Sequence, residues 1–443
     1  MKIQLKRHEL NKFWFVVLAV IFAIGLFLVM FYTGYTERIN EVIALASVVI
    51  SIYLCYVYRF NIGMLIVMLM ISYSNYSIAI GVYLNPSVRP AALYGQFKNL
   101  DTYGIGIMCI LIFELVLLIL SGAVIKNPHI IDVKKDDFFV QKEDNTIIAY
   151  GALVVYCIMF FGEVSFGASA GGRLKITATS EYKTIIQIIG LYYSAEKKQF
   201  KYIWTVLVGI TTLLTFVGGN RVEALGNIFA LVIFCFYDFI DYKKLLLMLP
   251  FGVVLLSGIG FMRTDFSLSV ETVRNVVSRM FEDGLTYEGA IFAYLPSLST
   301  IEISPHISAD EKWRLFWIHI EYFFLKIGGS KFLYNNLAYY SRNYFLHYGG
   351  FISPSYFFFW FEYLGAVIFA LLVNIYIKFY IKSTRKRFAG FSEKLMYILS
   401  SYFMCNVGRW YCYAPMYLIR NMCLCAVVYM FVYFIDNVIR GKK

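Results

Sequence analysis

Gly218-Gly219-Asn220-Arg221, with Glu223 two residues on, stands between two apolar runs in TFVGGNRVEALGNIFALVIFCF, residues 215–236. An arginine at membrane depth is costly and faces a polar cavity, a partner or the headgroup layer. Two glycines before it let the backbone turn tightly or come close to a ligand. A helix that starts near Val222 adds free amides and the positive end of its dipole at the same point. A phosphate fits that arrangement. An arginine that snorkels to the interface, or pairs with Glu223, fits it too.

Other arginines recur in comparable places. Arg173 lies with Lys175 in the glycine-rich GASAGGRLKITATSEYK, and Arg263 directly follows an apolar run. Arg274 and Arg279 share one amphipathic stretch, Arg342 sits in SRNYFLHYGG, and Arg409 and Arg420 flank the aromatics of NVGRWYCYAPMYLIRN. Arginine is a better bidentate fork for phosphate than lysine. One shared anionic pocket accounts for their recurrence at helix ends; scattered interfacial snorkelling is the rival reading. A lipid-linked phosphate or pyrophosphate carries its charge at this depth. The 37 Tyr and 41 Phe suit sugar rings, although membrane belts use the same residues.

Proton acceptors are few. His347, in the flexible HYGGFISPSY stretch, is the first candidate, with Asp265, Glu288 and Glu223 behind it; for each, a structural or solvated role is the plainer reading. A pyrophosphate leaving group needs charge stabilisation more than a proton, while a base would help a sugar hydroxyl attack. The loop at 263–355 holds no DxD-like pair, so nothing calls for a metal, and no other cofactor is implied. The absence of GxxxxGK[ST] argues against an ATP-driven pump. The eight cysteines show no CxxC spacing and read as small buried hydrophobes.

What must position these groups is a bundle of membrane helices. The chain is 60% hydrophobic and 15% charged, too apolar for a soluble protein of 443 residues. Its apolar blocks have the length that crosses a bilayer. The pattern predicts an all-α polytopic protein of about twelve spans: 13–32, 41–58, 62–82, 103–125, 147–163, 179–194, 202–218, 222–240, 245–262, 356–377, 394–408 and 416–437. The span at 179–194 is the weakest, because Gln187, Tyr192, Tyr193 and Ser194 make it short and polar. Residues 1–262 form an N-terminal bundle, 263–355 a large loop and 356–443 a C-terminal bundle. Lysines crowd one set of short loops, which puts both termini in the cytoplasm and the large loop outside. The formal charge of +12 follows that topology first, and no nucleic-acid partner is implied. Within the loop at least two helices are expected, lying along or dipping into the membrane interface: one over 312–327 after the capping-box pattern Ser308–Glu311, and one over 269–280.

Three of these stretches resemble a known family. FVGGNRVEALGNIFALVIF is similar to the Gly-Gly-x-Arg turn and following helix of the bacterial Wzy-type O-antigen polymerases. HYGGFISPSYFFFWFEYLGA is similar to the end of their large periplasmic loop, and RWYCYAPMYLIRN to the arginine-bearing segment before their last helix. The resemblance implies a GT-C-like, metal-independent glycosyltransferase of the inner membrane whose active site faces the periplasm. It would move an undecaprenyl-pyrophosphate-linked glycan onto a new lipid-linked repeat unit, with a chain-length regulator as protein partner. Arg173, Arg221, Arg409 and Arg420 would hold the pyrophosphates. Arg274 and Arg279 would guide the sugar chain or a second phosphate, Arg263 and Arg342 would add to the substrate surface, and His347 or Asp265 would supply acid–base chemistry. An O-antigen ligase of the same fold, and a flippase for the same lipid-linked sugars, remain alternatives.

Overall fold

The computed structural model describes residues 2–84, 99–124, 140–162, 164–165, 175–176, 180–194, 198–217, 221–262, 270–324, 337–345, 350–385, 390–413 and 416–441. These residues are mostly helical, with short turns between the helices, one isolated bridge between Asp144 and Ser194, and one two-residue antiparallel ladder, β1 (Val164–Ser165) against β2 (Lys175–Ile176). In chain order the helices are α1 (Lys2–Thr33), α2 (Glu37–Val57), α3 (Ile62–Ile78, prolonged by a π-helical turn to Leu84), α4 (Leu100–Val124), α5 (Thr146–Phe161), α6 (Ser180–Tyr193), α7 (Lys198–Val217), α8 (Arg221–Phe234) and α9 (Tyr242–Met262). Then follow α10 (Val270–Glu282), α11 (Glu288–Ile303), α12 (Ala309–Phe324), α13 (Leu337–Ser341), α14 (Ser353–Tyr356), α15 (Phe358–Phe361), α16 (Tyr363–Arg385), α17 (Phe391–Cys405), α18 (Val407–Cys412) and α19 (Met416–Ile439).

Among the described residues, six stretches are long and apolar enough to cross a membrane: Trp14–Thr33, Glu37–Val57, Ile62–Leu84, Leu100–Ser121, Tyr363–Arg385 and Leu418–Ile439. The molecule is therefore a membrane-embedded helical protein. Every apolar run expected from the sequence coincides with a helix, but several are short. The 14 residues of α6 and of α8 and the 15 of α17 rise only about 21–23 Å, against a hydrocarbon core of about 30 Å. The first span is peripheral, with 6% of its most apolar window buried by the rest of the chain, against 78% for Ile62–Leu84. Its Leu18, Ile21, Phe22, Phe27 and Phe31 face outward, as side chains in contact with lipid do.

The main core lies where α2, α3, α4, α11, α16, α17 and α18 pack together. Close approach needs glycine at two helix contacts. A Cβ on Gly365 would lie 2.5 Å from the Phe357 carbonyl, and one on Gly63 would meet the Tyr380 hydroxyl at 2.4 Å. The long segment between α9 and α14 contains the two expected helices, α10 and α12, and also α11. That third helix is buried nearly all round and shares the main core with α3 and α4. Ser308 caps α12 by accepting from the Glu311 amide at 3.3 Å. The reciprocal half of the capping box is missing, because Glu311 turns instead to Arg314, which donates from Nε at 2.7 Å and from Nη2 at 2.5 Å.

Polar clusters mark the two ends of the bundle. At one end Glu143 pairs with Lys394 and, at 3.1 Å, with Arg440. Arg440 also meets Asp436 at 2.6 Å, and Asn145 donates to Asp436 at 2.7 Å. This clasp joins the start of α5 and α17 to the end of α19, and the Glu143 and Asn145 amides bond the carbonyls of Tyr192 and Tyr193 at the end of α6.

Candidate functional site at the other end of the bundle

The opposite end is organised around α18, six residues that touch α3, α8, α11, α14 and α19. Such a short helix has almost no stability of its own, so its neighbours must hold it. Trp410 is buried, stacks on Phe403 with centroids 4.6 Å apart, and donates its indole N–H to the Phe403 carbonyl at 2.9 Å. Tyr411 donates to Asn75 Oδ1 at 2.6 Å, and Asn75 donates in turn to Glu114 Oε1 at 2.5 Å. Glu114 is fully buried on α4, and its other oxygen has no partner among the described residues. The Cys412 thiol lies 3.2 Å from the Ser74 hydroxyl.

The end of the long segment is stitched to the same helix. The Phe351 amide donates to the Tyr413 carbonyl at 2.8 Å, and the Ser353 hydroxyl donates to the Trp410 carbonyl. Gly350 makes the turn that precedes them with φ +89°, a conformation that favours glycine. Helix α8 closes the third side. A Cβ on Gly408 would come within 3.0 Å of Val222, and one on Gly226 within 3.1 Å of the carbonyl of Cys405 at the end of α17, so α8 meets α18 and α17 through glycine.

Arg409 emerges from this frame and forms an ion pair with Glu223, in the first turn of α8. Its guanidinium also lies 5.1 Å from the Tyr413 ring centroid. Both charged side chains are 13% exposed, sheltered yet reachable. Arg420, near the start of α19, donates to the Tyr182 hydroxyl on α6 at 2.9 Å. Beside Tyr182, Lys183 is buried with its ammonium 5.1 Å from the Phe160 ring. The end of the bundle thus gathers side chains of α6, α8, α18 and α19. An arginine in such a site offers a planar fork to any oxyanion that displaces its carboxylate.

The sequence candidates divide accordingly. Arg409 and Arg420 belong to this end. Arg221 opens α8 and Arg279 lies on α10, but for both only the backbone is described. Arg274 on α10 and Arg342 after α13 are exposed, without a hydrogen-bond or ion-pair partner among the described residues. Arg173, Arg263, Asp265 and His347 lie outside the described residues. Glu223, expected as a partner for Arg221 or as a base, is the partner of Arg409. Asn75 lies in none of the quoted stretches, and Tyr182 and Tyr411 lie within them without marking themselves as partners. No group of three or more metal-ligating side chains occurs among the described residues.

Another histidine of the long segment has a structural setting. His319 is buried on α12 and donates from Nδ1 to the Leu315 carbonyl at 2.6 Å, which leaves Nε2 to accept from the Tyr356 hydroxyl at 2.5 Å. Burial pushes its pKa down to about 4.

Compared with known proteins, the chain matches no family model, no curated protein and no solved structure.

Proposed function

We propose that this protein is an integral-membrane glycosyltransferase of the O-antigen polymerase kind, with about twelve spans and a GT-C-like layout. The observation that carries the reading is the meeting of three distant motifs. NRVEALG reaches α18 through Glu223 and Val222, GGFISPSY through Phe351 and Ser353, and RWYCY supplies the last four residues of α18 and Tyr413 after it. A chain that only needed to span a membrane would have no use for an arginine fork at that junction.

In this reading the site faces the periplasm and both termini are cytoplasmic. Arg409 and Arg420, joined by Arg173 and Arg221, hold the diphosphate of an undecaprenyl-linked glycan. Arg263, Arg274, Arg279 and Arg342 face the glycan, and a chain-length regulator docks from the same membrane. A hydroxyl of the incoming lipid-linked repeat unit attacks the anomeric carbon. The carbon–oxygen bond to the diphosphate breaks, its electron pair stays on the diphosphate, and the guanidinium groups spread the charge. His347 or Asp265 takes the hydroxyl proton. The product would serve lipopolysaccharide synthesis.

Glu114 favours a second reading. A fully buried mid-helix carboxyl, tied to Asn75 and Tyr411, is a feature expected of a transporter for the same lipid-linked sugars. Deletion of the gene in its host separates the possibilities. Loss of a polymerase leaves one repeat unit on each lipid A. Loss of a ligase leaves none attached and polymer on the carrier, and loss of a flippase leaves none attached and single units unflipped. Complementation with Arg409→Ala should restore no polymer although the protein reaches the membrane; full-length chains from that variant would remove Arg409 from the site.

A further inference from the structure

We propose that Glu223 is an internal ligand of Arg409 that the donor's diphosphate must replace, and that this exchange selects diphosphates over singly charged lipid headgroups. The proposal rests on the glycan-transfer reading and assigns a selectivity element to its site.

A carboxylate and a phosphate present the same pair of oxygens to a guanidinium fork. Glu223 therefore occupies on Arg409 the place a phosphate would take. Its geometry suits exchange. The two backbones are fixed, because α18 approaches α8 through Gly408 against Val222, and α8 approaches the end of α17, just before α18, through Gly226 against Cys405. Arg409 is held further by the bonds of Trp410, Tyr411 and Tyr413 to their neighbours. Only side-chain rotation is then needed to open the pair, and with 13% of each side chain exposed an incoming anion has access. After the exchange Arg409 keeps its contact with the Tyr413 ring.

The clasp at the other end of the bundle shows what a permanent pair looks like. There Glu143 serves both Lys394 and Arg440, and Asp436 serves both Asn145 and Arg440. Glu223 has Arg409 as its single partner among the described residues. Releasing it breaks one interaction, whereas releasing Glu143 breaks two.

The consequence is a threshold. At headgroup depth, phosphodiester lipids with one negative charge far outnumber the carrier. A monoanion gains little by displacing another monoanion from Arg409. A diphosphate brings at least two charges, enough to release Glu223 and also engage Arg420. Glu223 therefore lowers affinity for every anion, and lowers it most in effect for those that cannot compensate.

The test uses the full-length protein in nanodiscs, with farnesyl diphosphate and phosphatidylglycerol as probes. Glu223→Gln, isosteric and uncharged, should bind farnesyl diphosphate about tenfold tighter than wild type and should take up phosphatidylglycerol that wild type rejects. Both gains should vanish in Glu223→Gln/Arg409→Gln. Glu223→Asp, which keeps the charge but shortens the reach, should fall between and provides a second variant if the first does not fold. Wild type binding the diphosphate while neither Glu223 variant binds it more tightly overturns the exchange and leaves the glycan-transfer reading standing. Equal diphosphate binding by wild type and Arg409→Gln overturns the reading itself.

Discussion

Lowering the pH should loosen the segment that carries α12. His319 is neutral because its Nδ1–H is spent on the Leu315 carbonyl and its Nε2 accepts from Tyr356 in a buried site. A proton on Nε2 would turn an acceptor toward a donor and place charge where burial disfavours it. Tyr356 and Trp360 pack on the ring, and Lys312 lies two turns back along α12 with its own pKa lowered by burial. The ordinary histidine value is 6.5 and the folded value about 4. Between these values the unfolded segment binds more protons than the folded one, so stability is full above pH 6.5 and falls as pH drops toward 4. At 1.36 kcal/mol per unit, the loss is about 2 kcal/mol by pH 5 and about 3 kcal/mol at its limit. Hydrogen exchange of α12 in detergent-solubilised protein, from pH 7.5 to 5, reads this directly once corrected for intrinsic rates. Because other groups also titrate, the comparison is with His319→Gln, which should lose this component. Parallel pH profiles for the two proteins would refute the reasoning.

Three further outcomes follow from contacts at other places. Glu143→Gln should lower stability by about 2 kcal/mol, read as a fall in melting temperature, because it strips Lys394 and Arg440 of a shared, mostly buried partner. An unchanged melting temperature would make the clasp ornamental. Gly408→Leu forces side-chain atoms into Val222 and Met70 and should cost roughly 1–3 kcal/mol; a well-folded variant with wild-type melting would show that α8 and α18 are less closely packed than described. Glu362 sits at φ +50° and ψ −139°, a region that suits glycine, so Glu362→Gly should stabilise by about 1 kcal/mol, and a lower melting temperature would argue against strain there.

How much of this could be read from the chain depends on the kind of signal. Apolar runs located the helices well, since residues facing lipid and residues facing protein are both apolar. The same fact hides which face is which, so packing partners stayed invisible. Helix α11 was missed for a related reason. It is buried on nearly every side, so it shows no stripe, and Pro296 within it reads as a breaker. In α10 and α12 one face is exposed, and the periodicity survives. Crossing was harder to judge than helicity, because α6, α8 and α17 are helices yet fall short of a bilayer's thickness. At the site, the residue types of Arg409, Arg420 and Glu223 stood out against an apolar background. Their pairing did not, because Glu223 and Arg409 lie 186 residues apart in the chain and only the approach of α8 to α18 brings them together. Asn75 and Tyr411 carry no charge and look like ordinary helix residues until their partners are known.

The seam between the long segment and α18 is sewn largely with main-chain atoms. Phe351 gives its amide to the Tyr413 carbonyl, and Ser353 gives its hydroxyl to the Trp410 carbonyl. Carbonyl groups are present whatever residue occupies the position. Exchanging the side chain at 351, 410 or 413 therefore leaves an acceptor or donor in place, provided the backbone path is kept. Inserting or removing a residue between 350 and 413 is a different matter, since it shifts the register of every stitch and swings the guanidinium of Arg409 with it. The stitches at 351 and 413 should accordingly survive substitution there, whereas a change in length between 350 and 413 should break them.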